Sequence, residues 1–157
     1  MNMSVVESWI EPPLKRFVED AEVDLALLLH PSGQVLAQHG FARSLDVMSA
    51  CALAAGIYAT SAELGRMLDG KPFQGLHQVG THRQIFLAEA HSPRGAYIFV
   101  AVFGSESSLG LVRLYFEELV KGLTTAAPPE GPAPAPALAE HFERDLNRNL
   151  AVLFGRA

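Results

Sequence analysis

The sequence predicts an α/β (α+β) sandwich of order α-ββ-α-βββ-α: one five-stranded antiparallel sheet with helices packed on it, plus a tethered C-terminal helix. Three observations lead there. Short apolar runs bounded by Gly/Pro turns recur over 23–37 and 74–103. A long helical stretch that is nearly free of charge lies between them. A proline-rich segment then separates the last apolar stripe from everything before it. Packing helices on a single sheet is the natural layered solution for such an order.

Pro12 and Pro13 suit the first turn of a helix, where a missing N–H costs nothing. Leu14, Phe17, Val18 and Ala21 then share one face, giving a helix over 12–21. Val23 to Leu29 and Val35 to Ala37 flank Pro31-Ser32-Gly33, which is turn chemistry, so they read as a hairpin. Ser44 is expected to cap the next helix, and Asp46 suits its positive end. That helix runs about 25 residues to Leu68, roughly 37 Å, and Asp69-Gly70-Lys71-Pro72 stops it.

Gln74 to Val79, Arg83 to Ala90 and Ala96 to Phe103 read as three strands joined by Gly80-Thr81-His82 and Ser92-Pro93-Arg94-Gly95. Tyr97 to Phe103 is apolar on both faces and is expected at the centre of the sheet. Ser107 or Ser108 caps a helix to about Leu123, with Leu109, Val112, Phe116, Leu119 and Leu123 on its apolar face. Thr124 to Pro136 carries five prolines and reads as an extended linker. Beyond it, Leu138, Phe142, Leu146, Leu150 and Leu153 recur at helical spacing, opposite Glu140, Glu143, Arg144, Asn147 and Arg148. The expected organisation is a domain over 1–123, a Pro/Ala-rich linker over 124–137 and an amphipathic helix over 138–157.

The chain has 157 residues, enough for one domain with a core. Charged residues make up 18%, below the usual quarter, so apolar surface is expected to be hidden by association. The net charge of −5 and the lack of a basic stripe speak against nucleic acid. The single cysteine, Cys51, forbids an internal disulfide and fits a reducing compartment. The N-terminus does not read as a signal peptide. The stretch Val47 to Ala62 is too short and too rich in small residues for a bilayer span.

No motif points to chemistry of the chain's own. Gly65 to Lys71 has phosphate-loop spacing, but Pro72 replaces the required Ser or Thr, and the segment closes a helix where it should open one. The six histidines, His30, His39, His77, His82, His91 and His141, are scattered, and no metal or cofactor is expected. His77 and His82 could approach each other near one turn. Cys51 reads as a buried, inert thiol. Arg43, Arg66, Arg83 and Arg94 could each meet a partner's phosphate, although solvated surface residues are the commoner case. The long helix is the odd feature: Leu53, Ile57 and Leu64 are expected to face the sheet, leaving a smooth surface around Gly56 for another chain.

Three stretches, Leu27 to Ala37, Ala54 to Leu68, and Tyr97 to Phe103 followed by Leu109 to Leu114, resemble the Roadblock family of GTPase-associated domains. Within the family the likeness runs to the MglB branch, bacterial partners of Ras-like GTPases of the MglA type. The resemblance implies a cytoplasmic homodimer, with concentration at a cell pole and a role in polarity and gliding motility. Its paired long helices would form a platform for one small GTPase, and it would stimulate GTP hydrolysis by positioning the GTPase's own catalytic residues. The implied GTPase-binding residues are Ala55, Ala59, Thr60, Glu63 and Met67, with Phe142, Leu146 and Leu150 of the terminal helix as a second contact. A non-activating Roadblock scaffold and a PAS- or profilin-like ligand-sensing domain are the alternatives.

Overall fold

The computed structural model of the chain describes residues 7–43, 45–129 and Arg148. Its elements are α1 (Glu11–Ala21), β1 (Leu25–Leu29), β2 (Val35–Gly40), α2 (Val47–Asp69), β3 (Leu76–Val79), β4 (Gln84–Ser92), β5 (Gly95–Phe103) and α3 (Leu109–Ala126). The strands form one antiparallel sheet in the order β2-β1-β5-β4-β3. The expected α+β architecture is the observed one, with β5 at its centre.

Alternation along the strands divides the core between the two faces of the sheet, because successive side chains point to opposite sides. On one face Ala26, Leu28, Phe86, Phe99, Ala101 and Phe103 pack under Leu14 and Phe17 of α1 and Val112, Leu119 and Leu123 of α3. Phe17 meets Phe99 edge-on at 4.9 Å, and Phe116 leans on Phe99 at 5.1 Å. On the other face Leu25, Leu27, Leu29, Leu87, Ile98, Val100 and Val102 pack under Cys51, Ala54 and Ala55 of α2. Tyr97 to Phe103 is buried throughout, as expected of a central strand covered twice.

Local chemistry sets the boundaries. Prolines occupy the first turn of α1, and the helix closes at Glu22 in the left-handed region (φ 54). The β1–β2 turn bonds His30 N–H to Gln34 O and Gly33 N–H to His30 O, with Gly33 at φ 96. Ser44, expected to cap α2, lies outside the described residues. Asp46 caps the helix, its carboxylate accepting from Ser49 N at 3.4 Å and Ser49 Oγ at 2.7 Å. The far end closes at Gly70 (φ 75), whose N–H reaches Arg66 O. Strand β3 starts two residues later than expected, at Leu76. Strands β4 and β5 continue to a tight turn at Pro93-Arg94, where Ser92 Oγ donates to Gly95 O at 3.2 Å and accepts Arg94 N–H at 3.0 Å.

Helix α3 is capped by Ser108, whose Oγ accepts from Leu111 N. It runs to Ala126, so the expected linker start at Thr124 is corrected. Thr124 and Thr125 remain helical, with their hydroxyls donating to Val120 O and Lys121 O, and the first helix-breaking residue is Pro128. These elements belong to the unit Met1–Ala127. The expected helix over 138–157, with Phe142, Leu146 and Leu150, lies outside the described residues apart from Arg148.

The orientation of α2 is the main correction to the sequence reading. Small residues face the sheet: Cys51, Ala54, Ala55, Ala62 and Gly65 are the buried ones. The large residues expected there turn outward, with Leu53 68% and Leu64 48% exposed, while Ile57 is half-buried. A small-residue face lets the helix lie close to the sheet, and bulkier side chains there would hold it off. Gly65 is the tightest point: a Cβ would come within 2.6 Å of Phe73 N and 2.9 Å of Lys71 O. At Gly56 a Cβ would meet nothing within 4 Å. Gly65→Ala is therefore expected to destabilise the fold by about 1–3 kcal/mol through forced backbone shifts. Gly56→Ala is expected to stabilise it by about 0.5–1 kcal/mol through helix propensity. Urea denaturation of both variants checks the pair, and equal effects would contradict this packing.

Candidate interaction face on helix α2

Helix α2 spans about 34 Å and presents two unlike sides. Leu53, Ile57, Thr60, Leu64 and Met67 follow one another at intervals of four and three residues, which places them in one stripe along the helix. Met67 is 76% exposed, and Leu68 extends the apolar surface at the C-terminal end. Among the described residues α2 carries more exposed large apolar side chains than any other element. Scattered single apolar residues need no explanation, whereas several on one helix are a candidate interaction surface.

The polar groups on this side are quiet. Thr60 Oγ1 donates to Gly56 O at 2.9 Å, satisfying itself within the helix. Glu63 pairs with Arg66 at 3.0 Å across one turn, an exposed pair of small energetic weight. By length and composition α2 is apolar enough to cross a membrane, with an 18-residue window of mean hydropathy 1.3. Here its small-residue side rests on the sheet, and Tyr58 hydroxyl donates to the Glu89 carboxylate of β4. Glu89 also meets His91 Nε2 at 3.1 Å.

Of the site residues expected from the sequence, Ala59, Thr60, Glu63 and Met67 lie exposed on α2. Ala55 does not: it is buried against the sheet-side core, so its assignment to the outer face is corrected. Its neighbour there is the β1–β2 turn, since a Cβ at Gly33 would sit 3.7 Å from the Ala55 methyl. Phe142, Leu146 and Leu150 are outside the described residues. Leu53, Ile57 and Leu64 join the outer stripe in place of the core expected for them. The signal that places them outside is the stripe spacing itself, set against a second stripe of small residues. Tyr58 carries no local signal of its role, because its partner Glu89 is 31 residues away on a strand.

The other candidates resolve into structural parts. The backbone of Lys71 to Phe73 packs against Gly65, and Gly70 caps the helix, so the phosphate-loop spacing lies in a helix stop. His77 does not turn to His82: its Nε2 meets Gln84 Oε1 at 2.7 Å, and its ring stacks on Phe103. Among the described residues no three His, Cys, Asp or Glu side chains converge as metal ligands would. Between α2 and the sheet, Tyr58, Ala62, Phe73 and Leu87 border a cavity of about 10 Å³, far below the few hundred Å³ of a small-molecule site.

Burial pushes the Cys51 thiol up to about 11 from 9.0. A raised pKa in the folded state means that folding favours the protonated thiol. That stability is intact below pH 9 and is lost as pH rises from about 9 to 11, by at most about 3 kcal/mol. Tyr97, also raised by burial, adds a loss at higher pH. Cys51→Ala is expected to flatten the alkaline decline between pH 9 and 11, measured by urea unfolding at each pH. An unchanged decline would place its origin elsewhere.

No protein-family model matches the sequence, and no curated protein is significantly similar to it. Solved structures do match. Myxococcus xanthus MglB aligns with a TM-score of 0.66 at 24% identity, covering 75% of this chain and 94% of that one. The gliding protein MglB from Thermus thermophilus aligns at 0.68 with 22% identity, covering 81% and 94%. A Roadblock/LC7 domain from Streptomyces avermitilis aligns at 0.59 with 22% identity, covering 73% and 92%. At these identities the likeness is one of architecture. The chain is built on the Roadblock fold, in the form found in MglB.

Proposed function

We propose that this chain is a homodimeric regulator of a Ras-like small GTPase of the MglA type. It docks the GTPase on the outward face of α2 and accelerates GTP hydrolysis by holding the GTPase's own catalytic residues in position. The observation that carries the reading is the α2 face: a long helix, small residues inward, with an apolar stripe outward and the open notch at Gly56 beside it. A second copy covers part of that stripe, and the outer edge of β3, which among the described residues pairs only with β4, gives the two sheets a place to meet. The remainder, around Ala59, Thr60, Glu63 and Met67, receives the GTPase.

Such a protein needs no nucleophile or metal. Phosphoryl transfer is driven largely by positioning and by stabilisation of charge, and a partner that binds one conformation of the GTPase shifts it toward that conformation. The terminal segment with Phe142, Leu146 and Leu150 makes a second contact that tunes the GTPase. The complex acts in the cytoplasm, at a cell pole, in control of polarity or motility.

The test is phosphate release by the cognate GTPase with and without saturating protein. Acceleration is expected. Binding without acceleration would instead favour a non-activating Roadblock scaffold, the second reading that an apolar α2 face supports. Ala59→Arg is expected to weaken GTPase binding at least tenfold while the circular-dichroism melt stays unchanged, and undiminished binding would remove Ala59 from the face. Leu53→Glu is expected to shift the sedimentation coefficient toward a monomer, because a buried carboxylate in the seam has no counter-charge. A dimer that persists at micromolar concentration would place the seam elsewhere.

A further inference from the structure

Two arginines that stand forty positions apart in the sequence come together at one end of the sheet. Arg83, at the start of β4, donates from Nη1 to the backbone carbonyl of Arg43 in the β2–α2 connection, at 3.3 Å. Arg43, Arg83, His82, Thr81 and Gly80 line an open concavity of about 540 Å³. All three basic side chains are exposed.

The residues flanking both arginines are anchored. Ala42 is buried in the core beneath α2, which anchors Arg43 from behind. The β3–β4 turn closes through Gly80 N–H to Arg83 O at 2.8 Å, and a Cβ on Gly80 would come within 2.7 Å of that oxygen. A side chain at position 80 would crowd this closure, and the closed turn presents His82 and Arg83 together. The nearest acid in sequence to Arg43, Asp46, is turned onto Ser49 by two hydrogen bonds. No carboxylate among the described residues forms an ion pair with either guanidinium. In a chain of net charge −5, the described residues here concentrate positive charge without an ion-pair partner among them.

We propose that Arg43 and Arg83, with His82 and the Thr81 hydroxyl, form a binding site for a phosphate-type oxyanion. Each guanidinium offers a planar fork of N–H donors. A carboxylate is satisfied by one such fork, whereas two forks, an imidazole and a hydroxyl match the several oxygens and higher charge of a phosphate. The group comes either from free phosphate or from a phosphorylated side chain. The site is independent of the α2 reading.

The experiment is an NMR titration of the full chain with inorganic phosphate at constant ionic strength, with chloride as reference. The Nε–Hε signals of Arg43 and Arg83 and the amides of Thr81 to Arg83 are expected to move together on one saturating curve. Arg66, Arg94 and Arg113 should stay still. Arg43→Gln and Arg83→Gln should each weaken binding at least fivefold, and the double variant, checked for folding by circular dichroism, should not saturate. A neutral peptide bearing one phosphoserine separates the sources: tighter binding than phosphate assigns the site to a phosphorylated side chain, and equal binding assigns it to the free anion. Uniform, unsaturated shifts at every arginine, or a double variant that titrates like the parent, would overturn the site.

Discussion

Strands β1 and β5 are apolar on both faces, and everything else in the domain follows from having to cover them twice. A sheet with one wet face needs only a single layer of helices. Here Leu28 and Phe99 point one way while Leu27 and Val100 point the other. Each buried side chain of this size is worth on the order of 2 kcal/mol relative to exposure, so leaving either face in water would exceed the stability of an ordinary domain. Helices α1 and α3 close one side with large aromatic and aliphatic groups. Among the described residues helix α2 closes the other alone, and one helix covers a sheet face only by lying close to it.

That requirement explains the composition of α2. Its inner side is made of Cys51, Ala54, Ala55, Ala62 and Gly65, which bring the backbone close enough for methyl groups to fill the space between helix and sheet. Tyr58 adds a polar tie from the helix to Glu89 on β4. With close approach achieved inside, the large side chains have no place but outside. The exposed stripe and the covered sheet are therefore two results of one packing solution.

The order of elements is legible in the sequence because its signals are local. Turn chemistry at Pro31 to Gly33, helix stops at Gly70 and Pro72, and two-sided apolarity over Tyr97 to Phe103 all act within a few residues. The rotation of α2 is not legible from hydrophobicity, because a helix with apolar residues nearly all round gives no phase and hydrophobicity alone assigns Leu53 rather than Ala54 to the core; only the separation of large from small residues marks it. Size matters there more than polarity. The cap falls on Asp46 rather than Ser44 because both are good capping residues two positions apart. The end of α3 lies beyond Leu123 because Thr124 and Thr125 return their hydroxyls to the helix, which composition alone reads as linker. Arg43 and Arg83 meet through folding, and nothing in either neighbourhood announces the other. Of the proposed docking residues on α2, Ala59, Thr60, Glu63 and Met67 do lie on its open side, and Ala55 is misplaced for the same reason as Leu53.

The inversion of α2 also divides the labour of change over evolutionary time. The inner side is restricted to small residues, tightest at Gly65, so enlarging a side chain there carries a stability cost. Outer residues such as Leu53, Leu64 and Met67 contribute little to the fold and can vary while it persists. A lineage carrying this helix can therefore exchange one partner for another by altering a few exposed side chains, while the scaffold beneath keeps the same backbone.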